Sequence, residues 1–251
     1  MRYSTRSEFD GYGSAGSYFP AGVKWLLISN TALFVAHFLA VRTGLGELFT
    51  PFKLVPAMVL RLGFVWQLVS YMFLHDPGGF WHILFNMLTL WWFGADLERL
   101  WGTRRFLQYY FLCGVGAGLC VVAANLAFGN IHTATIGASG AIFGLLLAFG
   151  VLFPDRIVLF SFLFPMKAKY FVIVMGAIAF LSTFGSTGSG VSHVAHLGGM
   201  IFGYGYLRSQ SSRRIDLVGA WADLYRQWRI GRAKRKFQVY VRKKERNRWT
   251  N

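Results

Sequence analysis

The chain has 251 residues, of which 55% are hydrophobic and 18% aromatic, while only 14% are charged. This composition is too apolar for an ordinary soluble domain and predicts a membrane protein. A formal net charge of +16 can indicate nucleic-acid binding, but residues 208–251 hold 14 of the 26 lysines and arginines and only three acidic residues. Because the basicity belongs to this tail, no nucleic-acid partner is expected.

Six apolar stretches are long enough, or nearly so, to cross a bilayer, which requires roughly 20 apolar residues. They predict an all-α membrane protein with six transmembrane helices, at about 22–41, 81–97, 105–127, 136–153, 169–184 and 192–207. We expect three regions: a polar N-terminus over 1–21, a membrane domain over 22–207 and a basic tail over 208–251. The N-terminus lacks the pattern of a cleavable signal peptide.

The segment 51–74 is apolar enough to pass for a seventh span, and the distribution of basic residues decides against it. Basic residues near helix ends gather on the cytoplasmic side of a membrane. With six spans, most of them fall on the side of the two termini, whereas a seventh crossing would move Arg99–Arg105 or the N-terminus to the wrong side. We therefore expect 43–80 to be a long external loop that touches the membrane interface, with both termini on the cytoplasmic side. The expected location is a bacterial cytoplasmic membrane.

The basic tail contains apolar residues at helical spacing: Leu217, Trp221, Leu224 and Trp228. A helix of this kind, opposite arginines, is typical of a segment that lies on anionic lipid. A plain solvated tail is the first alternative, and contact with nucleic acid is the least favoured one.

Polar residues recur at the starts of the second, fourth and sixth predicted helices, which share one side of the membrane in this topology. His82 and Asn86 stand four residues apart, on one face of the second helix. Ser139 opens the fourth helix, and His193 and His196 open the sixth. Polar groups at such depth are costly and are usually functional or paired.

Two glycine stripes give the fourth and sixth helices a reason to meet. Gly140 and Gly144 lie on one, Gly199 and Gly203 on the other, and small residues at this spacing let helix backbones approach closely. His196 falls on the same stripe as Gly199, so packing of the two helices brings His196 toward Ser139.

A serine next to a neutral imidazole is the arrangement of a nucleophile and its base. Ser139 and His196 are therefore predicted as a catalytic dyad, with His82, Asn86 and the backbone N–H of Ser139 as oxyanion donors. No Asp or Glu occurs at the three helix starts, so no third member is expected. The histidines form no HExxH motif and have no carboxylate beside them, so neither a metal nor a cofactor is expected.

Each feature has a structural alternative. Gly-x-Ser-Gly in a membrane helix can be a packing motif alone, and His82 with Asn86 can be an interhelical hydrogen-bonded pair. His193 is interpreted as a residue at the rim of the site. His37, His75 and His132 show no pattern and are interpreted as interfacial or structural.

Over most of residues 22–207 the sequence resembles the rhomboid intramembrane serine proteases. The matching segments, quoted in this sequence, are Trp66 to His75 followed by His82-x-x-x-Asn86, Glu98 to Gly102 followed by Arg105 and Tyr109, Gly137-x-Ser139-Gly140, and Ala195-His196-x-x-Gly199 with Gly203. The resemblance implies a rhomboid-like six-helix bundle in which Ser139 and His196 react and His82 and Asn86 hold the oxyanion. Gly137, Gly140, Phe143, Gly199 and Gly203 are expected to support the site.

Two positions depart from the family pattern. The aromatic residue four positions after the serine, tyrosine in some members, is Phe143, and a Trp-Arg pair of the first loop reads Trp66-Gln67. Phe143 can still stack on His196, while Gln67 leaves the anchoring of the loop open. The resemblance implies a serine endopeptidase acting on transmembrane protein substrates. The alternatives are a pseudoprotease that binds membrane helices without cutting them and a small transporter or channel.

Overall fold

The computed structural model describes residues 19–128, 130–160, 164–185, 190–210 and 229. Within them the chain is mostly helical. Eight α-helices follow one another in these residues: α1 (Ala21–Arg42), α2 (Pro56–Leu62), α3 (Gln67–Ser70), α4 (Phe80–Trp101), α5 (Thr103–Phe128), α6 (Ser139–Leu152), α7 (Ala168–Gly185) and α8 (Gly190–Gln210).

The six long helices, α1 and α4 to α8, coincide with the six apolar stretches of the sequence. Among the described residues, two of them, α1 and α5, combine the length and the hydropathy of a membrane-spanning helix. Two apolar helices are shorter, Ser139–Leu152 and Ala168–Thr183. The helical architecture is therefore as expected, whereas the count of six crossings stays a prediction.

The segment between α1 and α4, expected to be a long external loop, is built of short helices. It contains α2, α3 and two 3-10 helices, Gly46–Phe52 and Tyr71–Phe73. The side chain of Gln67 is fully buried and accepts a hydrogen bond from the Val55 N–H (2.9 Å), while its amide donates to the Pro51 carbonyl (3.1 Å). Trp66 donates to the same carbonyl through Nε1 (3.0 Å). Gln67 thus anchors the loop without the arginine of the family pattern.

Helix α5 packs against α4 and α6, and hydrogen bonds from two buried tyrosines join it to neighbouring segments. The Tyr109 hydroxyl donates to the Gly144 carbonyl of α6 (2.8 Å). The hydroxyl of Tyr71, in the loop, donates to the Gly114 carbonyl of α5 (2.7 Å). Each of these hydrogen bonds is accepted by the backbone carbonyl of a glycine.

The start of α1 is held by a carboxylate from the far end of α4. Glu98 is only 2% exposed and accepts hydrogen bonds from the Gly22 and Val23 N–H groups, both at 2.7 Å. The Thr103 hydroxyl also donates to it (2.6 Å). Because the first N–H groups of a helix lack intrahelical acceptors, an anion at this place satisfies them and the helix dipole together.

A β-hairpin that the sequence analysis did not anticipate joins α6 to α7. Strands β1 (Ile157–Phe160) and β2 (Phe164–Lys167) pair antiparallel, with Ile157 opposite Lys167 and Leu159 opposite Pro165. β2 continues directly into α7. The apolar run is too short to distinguish a strand from a buried helix by periodicity.

The chain divides into two compact units, Met1–Leu207 and Arg208–Asn251. The helices and strands that position the candidate site belong to the first unit. The predicted amphipathic helix with Leu217, Trp221, Leu224 and Trp228 lies outside the described residues. The three-region division of the chain stays a prediction.

Candidate active site

Ser139 is the first residue of α6, and the backbone before it makes a sharp turn. Gly137 has a φ of +125°, a conformation that L side chains rarely adopt, and Ala138 is the N-cap residue. The space beside Gly137 is also filled, because a Cβ there would lie 3.2 Å from Cε1 of the His82 ring. Glycine at 137 therefore permits both the turn and the close approach of His82 to the start of α6.

Helices α6 and α8 touch backbone to backbone at Gly140 and Gly199. A Cβ added to Gly199 would overlap the Gly140 carbonyl oxygen, and one added to Gly140 would lie 3.3 Å from the Ala195 carbonyl oxygen. The nearest neighbours of Gly203 belong to α5, namely Tyr109 and Cys113. The expected stripe contact between α6 and α8 is thus found at Gly199, whereas Gly203 makes room for a tyrosine of α5.

This close approach places the two candidate reacting groups within hydrogen-bond distance. His196 Nε2 lies 2.8 Å from Ser139 Oγ, and the pair is partly buried. Which atom donates depends on the tautomer of the imidazole. In the tautomer with Nε2 unprotonated, the serine hydroxyl donates to the histidine, which is the arrangement that activates a serine.

Phe143 lies one turn after Ser139 on α6 and covers the face of the imidazole. The ring centroids of Phe143 and His196 are 4.1 Å apart, and the ring planes differ by 3°. A stacked contact of this kind restricts the rotation of the imidazole about its own bonds. The hydroxyl that a tyrosine would carry here is not required for the stacking.

His82 and Asn86 lie one turn apart on α4. His82 approaches Gly137 as described, two residues before Ser139. Asn86 is 7% exposed, and its side-chain nitrogen donates to the His82 carbonyl (2.8 Å), one turn earlier on the same helix. An amide nitrogen carries two protons, so this bond leaves Asn86 one further N–H to offer.

Two further histidines, for which the sequence showed no functional pattern, extend from His82: His75 lies next to it and His37 next to His75. His75 is fully buried, its ring centroid is 5.4 Å from that of His82, and neither of its ring nitrogens has a hydrogen-bond partner among the described residues. His37 Nδ1 lies 3.3 Å from the His75 carbonyl oxygen. Burial lowers the pKa of His75 to about 3, so this imidazole is neutral. No local pattern could have linked His37 to His75, which are 38 residues apart in the chain.

His193 lies one turn before His196 on α8, half-buried, with its ring edge-to-face to that of His196 at a centroid distance of 5.8 Å. Within the described part of the chain, no group of three or more His, Cys, Asp or Glu side chains is arranged to hold a metal ion. The site's polar side chains are therefore those of serine, histidine and asparagine.

Comparison with known proteins gives a consistent result. The Rhomboid domain family matches residues 62–211. Rhomboid protein 1, mitochondrial, of Saccharomyces cerevisiae is 33% identical over 151 residues, which are 57% of this chain and 43% of that protein. The putative rhomboid protease YdcA of Bacillus subtilis is 36% identical over 141 residues, 55% of this chain and 64% of that one.

The rhomboid protease AarA of Providencia stuartii is 30% identical over 154 residues, 55% of this chain and 53% of that protein. The matched part thus spans less than two thirds of the length of each of these relatives. The family match over residues 62–211 includes α4 to α8 and with them Ser139 and His196. Since the family match covers more than half of the sequence, the chain belongs to the rhomboid family.

Proposed function

We propose that this chain is an intramembrane serine endopeptidase that uses Ser139 and His196 as a catalytic dyad. The observation that carries the proposal is the 2.8 Å distance between Ser139 Oγ and His196 Nε2. Membership of the rhomboid family and the protease names of the relatives support the same activity. No cofactor takes part in this chemistry.

In the proposed reaction, Ser139 Oγ attacks the carbonyl carbon of a peptide bond while its proton passes to His196 Nε2. The tetrahedral intermediate collapses when His196 returns that proton to the leaving amine, which breaks the C–N bond. Water then attacks the acyl carbon and gives a proton to His196. The acyl C–Oγ bond breaks as His196 returns that proton to Ser139 Oγ, which releases the carboxylic acid product.

The negative charge on the tetrahedral oxygen requires hydrogen-bond donors fixed in advance. The candidates are the His82 ring, the free N–H of Asn86 and the backbone N–H of Ser139 at the start of α6, where the helix dipole adds to them. The close approach of the His82 ring to Gly137, two residues before Ser139, supports the assignment of His82. Gly137, Gly140, Phe143 and Gly199 then act as supporting residues, together with Gly203 through Tyr109.

We further propose that α1 and α4 to α8 all cross the membrane, with both termini cytoplasmic and the dyad near the opposite face. Transmembrane segments of other proteins are the substrates in this proposal. A helix shields its own carbonyl groups, so a substrate helix must unwind locally before Ser139 can attack. The bacterial cytoplasmic membrane remains the predicted location, although the relatives include a mitochondrial protein.

A fluorophosphonate probe, which reacts only with an activated serine, tests the activity without knowledge of the substrate. The purified full chain should be labelled, Ser139→Ala should not, and His196→Ala should be labelled far more slowly. Absence of labelling in the unmodified chain, under conditions that label another rhomboid protease, would favour the pseudoprotease or the transporter. Labelling that survives Ser139→Ala would refute the nucleophile.

The oxyanion donors need a separate measurement. Asn86→Ala should lower turnover of a transmembrane reporter substrate by about 10- to 1000-fold. Asn125→Ala is the matched control, since Asn125 is another buried asparagine bonded to the carbonyl one turn earlier in its own helix, at 2.9 Å. Equal turnover for Asn86→Ala and the unmodified chain would remove Asn86 from the site.

A further inference from the structure

The β-hairpin between α6 and α7 presents an apolar face that no other described residue covers. The register of β1 and β2 puts Ile157, Leu159, Pro165 and Lys167 on one side of the hairpin. Ile157 is 60% and Leu159 45% exposed. Three of the four residues on this face are apolar, which would be a poor surface for contact with bulk water.

The opposite face of the hairpin packs against the helical bundle at Val158 and Met166, whereas Phe164 at the tip of this face is 62% exposed. Val158 is 5% exposed and belongs to a buried cluster, against which Met166 also packs. The other buried members of that cluster come from three helices, α4, α6 and α7: Phe93, Leu146, Phe149, Ala168 and Val172. The exposed face therefore points away from the bundle in a defined orientation.

The backbone of the hairpin limits the depth at which it can lie in a membrane. It has two strands only, and no third strand in the described part of the chain pairs with either of them. The outer edges thus carry N–H and C=O groups that need water or lipid headgroups, because hydrocarbon offers them no partner. An apolar face together with open polar edges fits the boundary between headgroups and acyl chains.

The surroundings of the hairpin are rich in positive charge. The Asp96–Arg156 ion pair (2.7 Å) brings the end of α4 to the start of the hairpin. Lys167 and Lys169 share a single partner, Asp155, at 2.9 and 3.2 Å. The two segments joined in this way, 96–105 and 155–169, hold six basic residues, Arg99, Arg104, Arg105, Arg156, Lys167 and Lys169, against three acidic ones, Asp96, Glu98 and Asp155.

We propose that the β1–β2 hairpin is an interfacial anchor, which lies in the headgroup layer of an anionic leaflet with Ile157 and Leu159 turned toward the acyl chains. Lys167 and Lys169 contact lipid phosphates at its base. Because β2 ends at Lys167 and α7 begins at Ala168, the anchor holds the start of α7 at that depth. This inference rests on the proposed insertion of the helices in a membrane.

The depth of the hairpin can be measured with a nitroxide at Leu159→Cys in the full chain, after Cys113→Ala and Cys120→Ala remove the two native thiols. Collisions with oxygen, which partitions into lipid, are compared with collisions with a water-soluble nickel chelate in phosphatidylcholine vesicles. His132→Cys serves as the aqueous reference, since His132 is exposed in the segment before α6. Leu119→Cys, 45% exposed on α5, serves as the membrane-core reference.

The nitroxide at Leu159 should give an oxygen-to-nickel ratio between those of the two references. A ratio equal to that of His132 would overturn the proposal, because the hairpin would then lie in water. Low collision rates with both reagents would also overturn it, since the face would then be covered by protein, either the tail or a second copy.

A second experiment tests the role of charge in the proposed anchor. An environment-sensitive dye at Leu159→Cys should shift its emission to the blue when phosphatidylglycerol is added to the vesicles. Lys167→Gln with Lys169→Gln should abolish this shift, whereas Lys53→Gln, on the loop after α1, should keep it. An equal shift in the double variant would refute the contact with anionic lipid.

Fluorophosphonate labelling of Ser139 in the same samples distinguishes a failure of the anchor proposal from a failure of the proposed activity. A labelled protein whose hairpin lies in water refutes the anchor alone. An unlabelled protein whose nitroxide lies at the interface refutes the activity alone.

Discussion

The rings of Phe143 and His196 lie parallel, at a centroid distance of 4.1 Å and an angle of 3°. Phe143 comes from α6, the helix that begins with Ser139, so one helix supplies both the proposed nucleophile and the wall that orients its base. Among the described residues no carboxylate bonds to His196, so in the proposed dyad we expect this stacking contact to take the orienting role that an acidic third member has in a triad.

Phe143→Leu should therefore lower turnover by about 2- to 12-fold, since an aromatic pair is worth about 0.5–1.5 kcal/mol and each 1.4 kcal/mol corresponds to a factor of about ten in rate. Leucine fills most of the volume but offers no flat ring. Turnover of a transmembrane reporter by the reconstituted chain is the measurement. Phe143→Tyr, which keeps the ring, should stay near the unmodified rate, and a leucine variant with full activity would show that stacking is irrelevant.

The contact between Gly140 and Gly199 leads to a second prediction. In Gly199→Ala the new methyl group overlaps the Gly140 carbonyl, so α6 and α8 must separate and His196 must move away from Ser139. We expect a loss of about 1–3 kcal/mol in the free energy of unfolding, as for other overpacked sites, together with a strong loss of fluorophosphonate labelling.

Gly205→Ala is the matched control for this variant. It lies on the same helix, and a Cβ at position 205 meets no atom within 4 Å. This change should leave labelling unchanged and raise the thermal unfolding temperature slightly, because alanine favours the helix more than glycine does. If both glycine variants behaved alike, helix propensity and not the backbone contact would be responsible.

Sequence reasoning anticipated those features whose signal is local. The apolar stretch 169–184 corresponds to α7 at Ala168–Gly185, and the stretch 192–207 corresponds to α8 at Gly190–Gln210. The proximity of Ser139 and His196 also followed from sequence, because glycines at i, i+3 and i+4 spacings mark the faces on which helices can touch. The catalytic roles of these residues stay predictions.

Features that depend on distant partners could not be predicted in this way. In the sequence, Glu98 is a single acidic residue at the end of a predicted helix. Its contact with Gly22, 76 residues earlier, is formed only by the tertiary fold. His75 appeared isolated because its neighbour His82 is seven residues away, across a turn rather than along a helix. The hairpin was missed because a four-residue apolar strand has no periodicity that distinguishes it from the helices around it.

The loop before α4 provides a third prediction. Gln67→Leu should lower the free energy of unfolding by about 1–3 kcal/mol, since it leaves the Val55 N–H without a partner and the Pro51 carbonyl with Trp66 as its remaining donor. Thermal unfolding in detergent measures the loss, and limited proteolysis between α1 and α4 should become faster. Gln108→Leu, at an exposed glutamine of α5, should change neither. Unaltered proteolysis of the Gln67 variant would argue against its anchoring of the loop.

The final prediction concerns Glu98, whose carboxylate receives the Gly22 N–H, the Val23 N–H and the Thr103 hydroxyl in a site that is 2% exposed. Glu98→Gln keeps the shape but turns one acceptor into an NH₂ donor that faces a backbone N–H. Because a hydrogen bond to a charged group is worth about 1.5–3 kcal/mol, we expect a destabilisation of about that size and fraying of the start of α1.

Thermal unfolding measures this destabilisation, and hydrogen exchange of the α1 amides locates it. Glu47→Gln is the control, since Glu47 accepts only an exposed hydrogen bond from Thr50 and its replacement should have little effect. If Glu98→Gln and Glu47→Gln unfolded at the same temperature, the carboxylate would not be what holds α1 against α4. In that case the packing of Val23, which is fully buried, would have to carry the contact alone.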